Sequence, residues 1–344
     1  MKKTAELTFI ITDTHFGVKQ NSTTWLNSQM DFFYKQLIPH IKQCKESELY
    51  HSIRLIHMGD VFDSRSTIST MVATKVIEVF KELCKYCRVY IVAGNHDFYS
   101  PNSDEVDTLN LLLKNIAGVT LYTKDYAMVQ IPNTKTYELF IPWYQWGSET
   151  IDSIMERLGK DAVNVFAHTD IVTESIPFTH LSKETRVFSG HLHIPNIKKN
   201  LYNLGSCYAL NFADANQDRG YYVMIDNGKP EFYPNKCSIR FWRLYNEDIF
   251  NKKKTDKISN KDYVEVYVSQ TNMMDAKYIE RINEMTKGLK NIWVIPQTEE
   301  SVGDDLEKFE GYDIEKITKK MIPEELKDKF EIVLNSIQKQ VIIN

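Results

Sequence analysis

Basic residues are not in excess, long apolar runs are missing and cysteines are few, and each shortage removes a class of protein. Lys and Arg number 42 against 46 Asp and Glu, a formal net charge of −4, so composition alone announces no cationic face for nucleic acid. No stretch nears the roughly 18 apolar residues of a membrane-spanning helix. The first residues run straight into the strand-like Leu7, Phe9, Ile10 and Ile11, without the basic, apolar and small-residue sections of a signal peptide. Five cysteines, an odd number, fit a reducing compartment rather than a disulfide framework. The expectation is a cytoplasmic protein with no membrane partner. Cys84-Lys85-Tyr86-Cys87 has CxxC spacing, but no second pair exists to complete four zinc ligands, so the pair reads as structural.

What is present is an α/β pattern. With 344 residues, 42% apolar and 26% charged, the chain can bury one large domain and one or two small ones. β-branched and aromatic residues gather at 7–12, 53–58, 88–93, 138–141, 162–167, 186–189 and 220–226, which predicts strands there with helices between them. Val72, Val76, Val79, Phe80 and Leu83 predict a helix over 69–84, and Ser103 reads as the N-cap of another through Val106, Leu109, Leu113 and Ile116. The polar, basic Asn251–Lys257 stretch reads as a boundary, giving domains at 1–250, 258–298 and 305–344. The middle piece reads as a small β-α-β module. The last reads as two helices parted at Pro323, with an apolar stripe of Leu326, Phe330, Val333, Leu334, Ile337 and Val341 that must bury somewhere.

The chemistry-bearing residues fall just after the strands. Asp13-Thr14-His15 follows the first, Gly59-Asp60-Val61-Phe62-Asp63 the second and Gly94-Asn95-His96-Asp97 the third. His168 and Gly190-His191-Leu192-His193 follow two later ones. Ligands of α/β sheets bind outside the carboxyl ends of strands, so these ends can share one crevice. Carboxylate, imidazole and amide oxygen suit Mn²⁺, Fe²⁺ or Zn²⁺, and two such ions about 3.5 to 4 Å apart can clamp both oxygens of an in-line displacement at phosphorus. Glycines at 59, 94 and 190 let the backbone turn sharply there. His40, His51, His57 and His180 belong to no motif and read as surface or core histidines.

Together these motifs resemble the calcineurin-type metallophosphoesterase family, and more narrowly its DNA-nuclease branch of SbcD-type subunits. Within that branch the chain is similar to the recombination endonuclease subunits of T-even phages. Asp13-Thr14-His15-Phe16-Gly17, the Gly59–Asp63 box, the loop Leu204-Gly205-Ser206 to Asp214 and Asp218-Arg219-Gly220 carry the narrower likeness. The resemblance implies a two-sheet αββα sandwich with a small β-α-β cap that binds DNA and a helical C-terminal tail. It implies Asp13, His15 and His193 on one metal, Asn95, His168 and His191 on a second, and Asp60 bridging, with Mn²⁺ the expected ion. His96 is then the acid beside the scissile phosphate, oriented by Asp97, and Arg65 a candidate phosphate contact. By the same resemblance the tail docks on an SbcC-type coiled-coil ABC ATPase, and the chain pairs as a homodimer within a heterotetramer.

The implied activity is exo- and endonucleolytic cleavage of DNA in repair and recombination. Cys207 stands where that branch commonly has proline, and Ala167 where glycine is frequent, which bears on loop shape rather than on ligands. A phosphatase or nucleotide phosphodiesterase would use the same site. A catalytically silent scaffold of this fold tends to lose ligands, and here none is lost.

Overall fold

The computed structural model describes residues 5–100, 103–131, 135–143, 162–169 and 184–297. In chain order its strands are β1 (Ala5–Ile11), β2 (Tyr50–His57), β3 (Arg88–Val92), β4 (Phe98–Ser100), β5 (Ser103–Asp107), β6 (Val119–Tyr122), β7 (Ala127–Gln130), β8 (Tyr137–Ile141), β9 (Ala162–His168), β10 (Arg186–Gly190), β11 (Asn196–Lys198), β12 (Leu201–Asn203), β13 (Gly220–Ile225), β14 (Glu231–Pro234), β15 (Phe241–Tyr245), β16 (Tyr263–Ser269) and β17 (Asn291–Gln297). Two six-stranded sheets result, ordered β14-β13-β1-β2-β3-β6 and β11-β12-β10-β9-β8-β7. β1, β2, β3 and β6 run parallel, as do β8, β9, β10 and β12. The residues that follow β1, β2 and β3 therefore leave the same end of the first sheet.

Side-chain alternation decides how the sheets are covered. Leu7, Phe9 and Ile11 pack with Leu55, Val89 and Ile91 under the helices Thr23–Phe32, Ile38–Glu46 and Thr70–Leu83. Ile10, Ile56 and Val92 point the other way, onto Phe140, Phe166 and Phe188 of the second sheet. That seam is a stacked ladder, Phe140 to Phe166 to Phe188 to Tyr202, at centroid distances of 5.2, 5.2 and 5.1 Å. The outer face of the second sheet is apolar in turn, through Leu139, Ile141, Val165 and Val187. The architecture is the metallophosphoesterase sandwich that the motifs imply.

One polar clamp crosses the seam. Arg54 of β2 donates to both carboxylate oxygens of Glu138 on β8, at 2.5 and 2.7 Å, and to Thr8 on β1 at 2.9 Å. Asn164 of β9 also donates to Glu138. With side chains only 11% and 2% exposed, Glu138 depends on Arg54 for its counter-charge, while Arg54 also meets Glu6 at 3.3 Å.

The helix Thr70–Leu83 forms as expected and is capped by the Ser69 side chain, which accepts from the Val72 N–H. Ser103 is a correction. It opens β5, which pairs with β4 as a hairpin, and the helix begins only at Thr108 with Asp107 as its cap. Val106, at 59% exposure, lies on that hairpin instead of a helical core face. Cys84 and Cys87 are free thiols at the end of the 70–83 helix, and burial pushes them up to about 11 and about 12.

Beyond the sandwich, β15, β16 and β17 make a separate three-stranded sheet. β15 lies ahead of the expected 251–257 boundary and pairs in parallel with β16 beyond it. Trp25 stacks on both Phe241 and Tyr263, at 5.8 and 6.0 Å, so this sheet is anchored to the helix that follows the first motif. Contacts divide the chain into one unit of Met1–Tyr267 with Glu280–Ile295 and another of Val268–Ile279 with Pro296–Asn344. The tail expected at 305–344 lies outside the described residues. Among the described residues no helix is long and apolar enough to cross a membrane.

Arg54→Met would leave Glu138 buried without a counter-charge, at a cost of about 3 to 5 kcal/mol. Urea unfolding should show that loss, and adding Glu138→Leu should recover most of it. A single variant as stable as the parent would mean that the clamp does not hold the sheets together.

Candidate metal centre

The loops after β1 and β2 run side by side. Asp13 N–H donates to Gly59 O, His15 N–H to Asp60 O and Phe16 N–H to Val61 O, at 3.0, 3.0 and 2.8 Å. The carbonyls of Thr14 and His15 are gripped from below by the Gln29 amide, and Thr14 O also by the Tyr208 hydroxyl. This grip holds backbone that would not stay put alone. Asp13, His15, Asp60 and His191 have φ of 50, 40, 52 and 86°, a left-handed region costing roughly 1 to 2 kcal/mol for a residue with a Cβ. Gly94 is required for space, since a Cβ there would stand 2.2 Å from Asp60 Oδ1.

Two groups of side chains converge where these loops meet the ends of β9 and β10. Asp13, His15 and His193 form one, and Asp60, His168 and His191 the other, with ligand atoms in each within 4.8 Å of one another. Asp60 Oδ2 lies 3.7 Å from His15 Nε2 and 3.5 Å from His168 Nε2, so it stands between the groups. Asn95 Oδ1 joins the second group, 3.1 Å from both His168 Nε2 and His191 Nδ1. In the first, His15 Nε2 and His193 Nε2 face each other at 3.0 Å. Imidazole nitrogens, carboxylates and an amide oxygen crowded around two centres are a fit for divalent cations with borderline preferences.

The histidines are set by their far sides. His168 Nδ1 donates to Met58 O at 2.6 Å, which turns Nε2 toward Asp60 and Asn95. His15 Nδ1 is buried, with the Asp63 carboxylate 3.6 Å away. Burial opposes the charging of His168, but Asp60 and Asp13 outweigh it and lift the imidazole to about 9. Burial likewise pushes against ionisation of Asp60, and His168, His15 and His96 overcome it and hold the carboxyl well below its usual range. His57, read from the sequence as a surface or core histidine, is a satisfied core one. Burial drives it down to about 3, Gly59 N–H donates to Nδ1, and Nε2 faces Thr14 Oγ1 at 2.9 Å.

His96 sits at the edge of both groups, 5.0 Å edge-on from the His15 ring, with its N–H on Asp60 Oδ1 at 2.8 Å. Its Nδ1 lies 2.5 Å from the Asp63 carbonyl. The expectation that Asp97 orients His96 is corrected here. The Asp97 carboxylate is fully buried and accepts from the N–H groups of Val61, Phe62 and Gly94. Adjacent residues in so tight a turn point in different directions, and Asp97 ties the second loop to the third. Burial, then the nearby Asp60, push Asp97 up to about 7. Arg65 is half-exposed and has no charged partner among the described residues.

Sequence reasoning missed Gln29, Tyr208 and Trp143. Gln29 and Tyr208 act on backbone carbonyls, which carry no side-chain signature. Trp143 packs against His191 at 4.9 Å, the rings tilted by 32°, and follows β8 as the other motifs follow their strands, which was the available signal.

Residues 8–195, more than half of the chain, match the family model described as Calcineurin-like phosphoesterase. That span holds every side chain of both groups. A protein named Exonuclease subunit 1, from Enterobacteria phage T4, is 23% identical over 335 residues, covering 90% of this chain and 90% of that one.

With its folded pKa above the ordinary 6.5, charged His168 stabilises the metal-free fold fully below pH 6.5, and this is lost as pH rises through about 9. Unfolding free energies from urea titrations in chelator should fall over that window, by up to roughly 1.4 kcal/mol per pH unit, and His168→Gln should lack this component. A wild-type profile that His168→Gln reproduces would contradict the charge assignment.

Proposed function

The chain belongs to the calcineurin-like phosphoesterase family, and we propose that it is a metal-dependent DNA nuclease, an exo- and endonuclease subunit for repair and recombination. The observation that carries this reading is the pair of ligand groups with Asp60 between them. In this proposal Asp13, His15 and His193 would hold one divalent ion and Asn95, His168 and His191 a second, with Asp60 shared between the two groups. Mn²⁺ suits a donor set that mixes carboxylate, imidazole and amide oxygen without thiolate. When bound, the ions supply Lewis acidity to the attacking and leaving oxygens at phosphorus.

The chain's own groups do the rest. His96 has its Nδ1 committed to the Asp63 carbonyl, so Nε2 is the atom that can carry a proton to the leaving oxygen. Asp97 keeps the loops of Asp60 and Asn95 in register. Arg65 reaches a neighbouring phosphate of the strand. DNA is favoured over a small phosphate ester because the relative named as an exonuclease subunit extends along 90% of both chains, well past the metal centre.

The word subunit in that name also favours a partner. The reading therefore keeps residues 1–250 as the nuclease domain and 258–298 as a DNA-contacting cap. It keeps 305–344 as the segment that docks on an SbcC-type coiled-coil ATPase, in a heterotetramer with two copies of this chain.

The purified chain with Mn²⁺ should cleave single- or double-stranded DNA, stop in excess chelator, and leave a generic phosphate monoester nearly untouched. Fast monoester hydrolysis without DNA cleavage would make it a phosphatase, and inactivity on both would make it a scaffold. His96→Ala should lose on the order of 10²- to 10⁴-fold in rate at unchanged metal content. Loss of metal along with rate would turn His96 into a ligand.

A further inference from the structure

Trp143 is the one large aromatic side chain among the described residues recorded against either ligand group and given no part in the function above. It directly follows β8 and the buried Pro142, and its backbone N–H donates to Ala93 O at 2.7 Å, so it is tied to the loop that delivers Asn95. The indole packs against the His191 ring at 4.9 Å, tilted by 32°, and meets His168 edge-on at 6.2 Å and 73°. Among the described residues no indole lies against the first group. There His15 and His193 contact each other and His15 also contacts His96, while each group has two buried members and one part-exposed histidine, His193 in the first and His191 in the second.

We propose that Trp143 is a positioning residue that makes the two metal pockets unequal. This contact holds the His191 ring with Nδ1 toward Asn95 Oδ1, and the indole covers that side of the ring. An ion among Asp60, Asn95, His168 and His191 then meets ligands that need no reorientation. It binds more tightly and leaves more slowly than an ion among Asp13, His15 and His193. The inference rests on the two-ion reading of the site.

The test is a Mn²⁺ titration of the metal-free full chain, with free Mn²⁺ followed by electron paramagnetic resonance and indole emission followed in parallel. Mn²⁺ beside an indole quenches it, and comparison with Trp143→Phe isolates this residue among the five tryptophans. The first equivalent should quench Trp143, and Trp143→Phe should bind both ions near normally without that quench. Trp143→Leu, which keeps apolar bulk but not the stacking ring, should weaken the tighter ion by about 10- to 100-fold and spare the other. Quenching that arrives only with the second equivalent, or a Trp143→Leu chain with both affinities unchanged, would overturn the proposal. A wild-type chain that takes up a single Mn²⁺ would overturn the two-ion reading, and this inference with it.

Discussion

A carboxylate buried between two sheets is the constraint on which the rest of the structure depends. Asp60 is 2% exposed, and an ionised group so placed is tolerated only when opposite charge and donors surround it. Its compensation comes from both sides of the sandwich: His15 and the His96 N–H from the first sheet's loops, and His168 from the end of β9 in the second. The centre is therefore also a joint. The sheets must meet at their carboxyl ends for Asp60 to be satisfied, while the Arg54–Glu138 pair fastens the same seam further down the strands.

The same constraint accounts for the backbone around it. Left-handed residues at Asp13, His15, Asp60 and His191 are unfavourable one by one, yet each aims a side chain inward at a point where a regular strand would carry it away. Gln29, Tyr208, His57 and Asp97 hold these turns, through carbonyls, a hydroxyl and backbone N–H groups. The helix carrying Gln29 also carries Trp25, which anchors the three-stranded sheet. Substitution there is expected to be felt in the loops and in that sheet together.

The sequence made β1, β2, β3, β8, β9, β10 and β13 legible, but not β6, β7, β11, β12 or β14, and it marked the side chains that gather in the two groups because four of the apolar runs end in a short motif with glycine or aspartate. What it hid was direction and partnership. Gly94-Asn95-His96-Asp97 places two acidic or basic groups side by side, but only the fold reveals that Asp97 turns to backbone N–H groups and His96 to the Asp63 carbonyl. Ser103 looked like a helix cap because Ser caps helices and Val106 fell at helical spacing, whereas pairing with Phe98–Ser100 turned the segment into a hairpin. The polar Asn251–Lys257 stretch is a real break in apolar pattern, yet β15 ahead of it joins the sheet beyond it, since strand pairing is not bound to sequence neighbourhood.

The central claim is that this chain holds two ions on one bridging carboxylate. Crystals soaked in Mn²⁺ and measured at the manganese absorption edge test it most directly. The account predicts two anomalous peaks about 3.5 to 4 Å apart, both within bonding distance of Asp60, one flanked by His15 and His193 and the other by Asn95 and His168. A single peak, or ions that leave Asp60 uncoordinated, would contradict it.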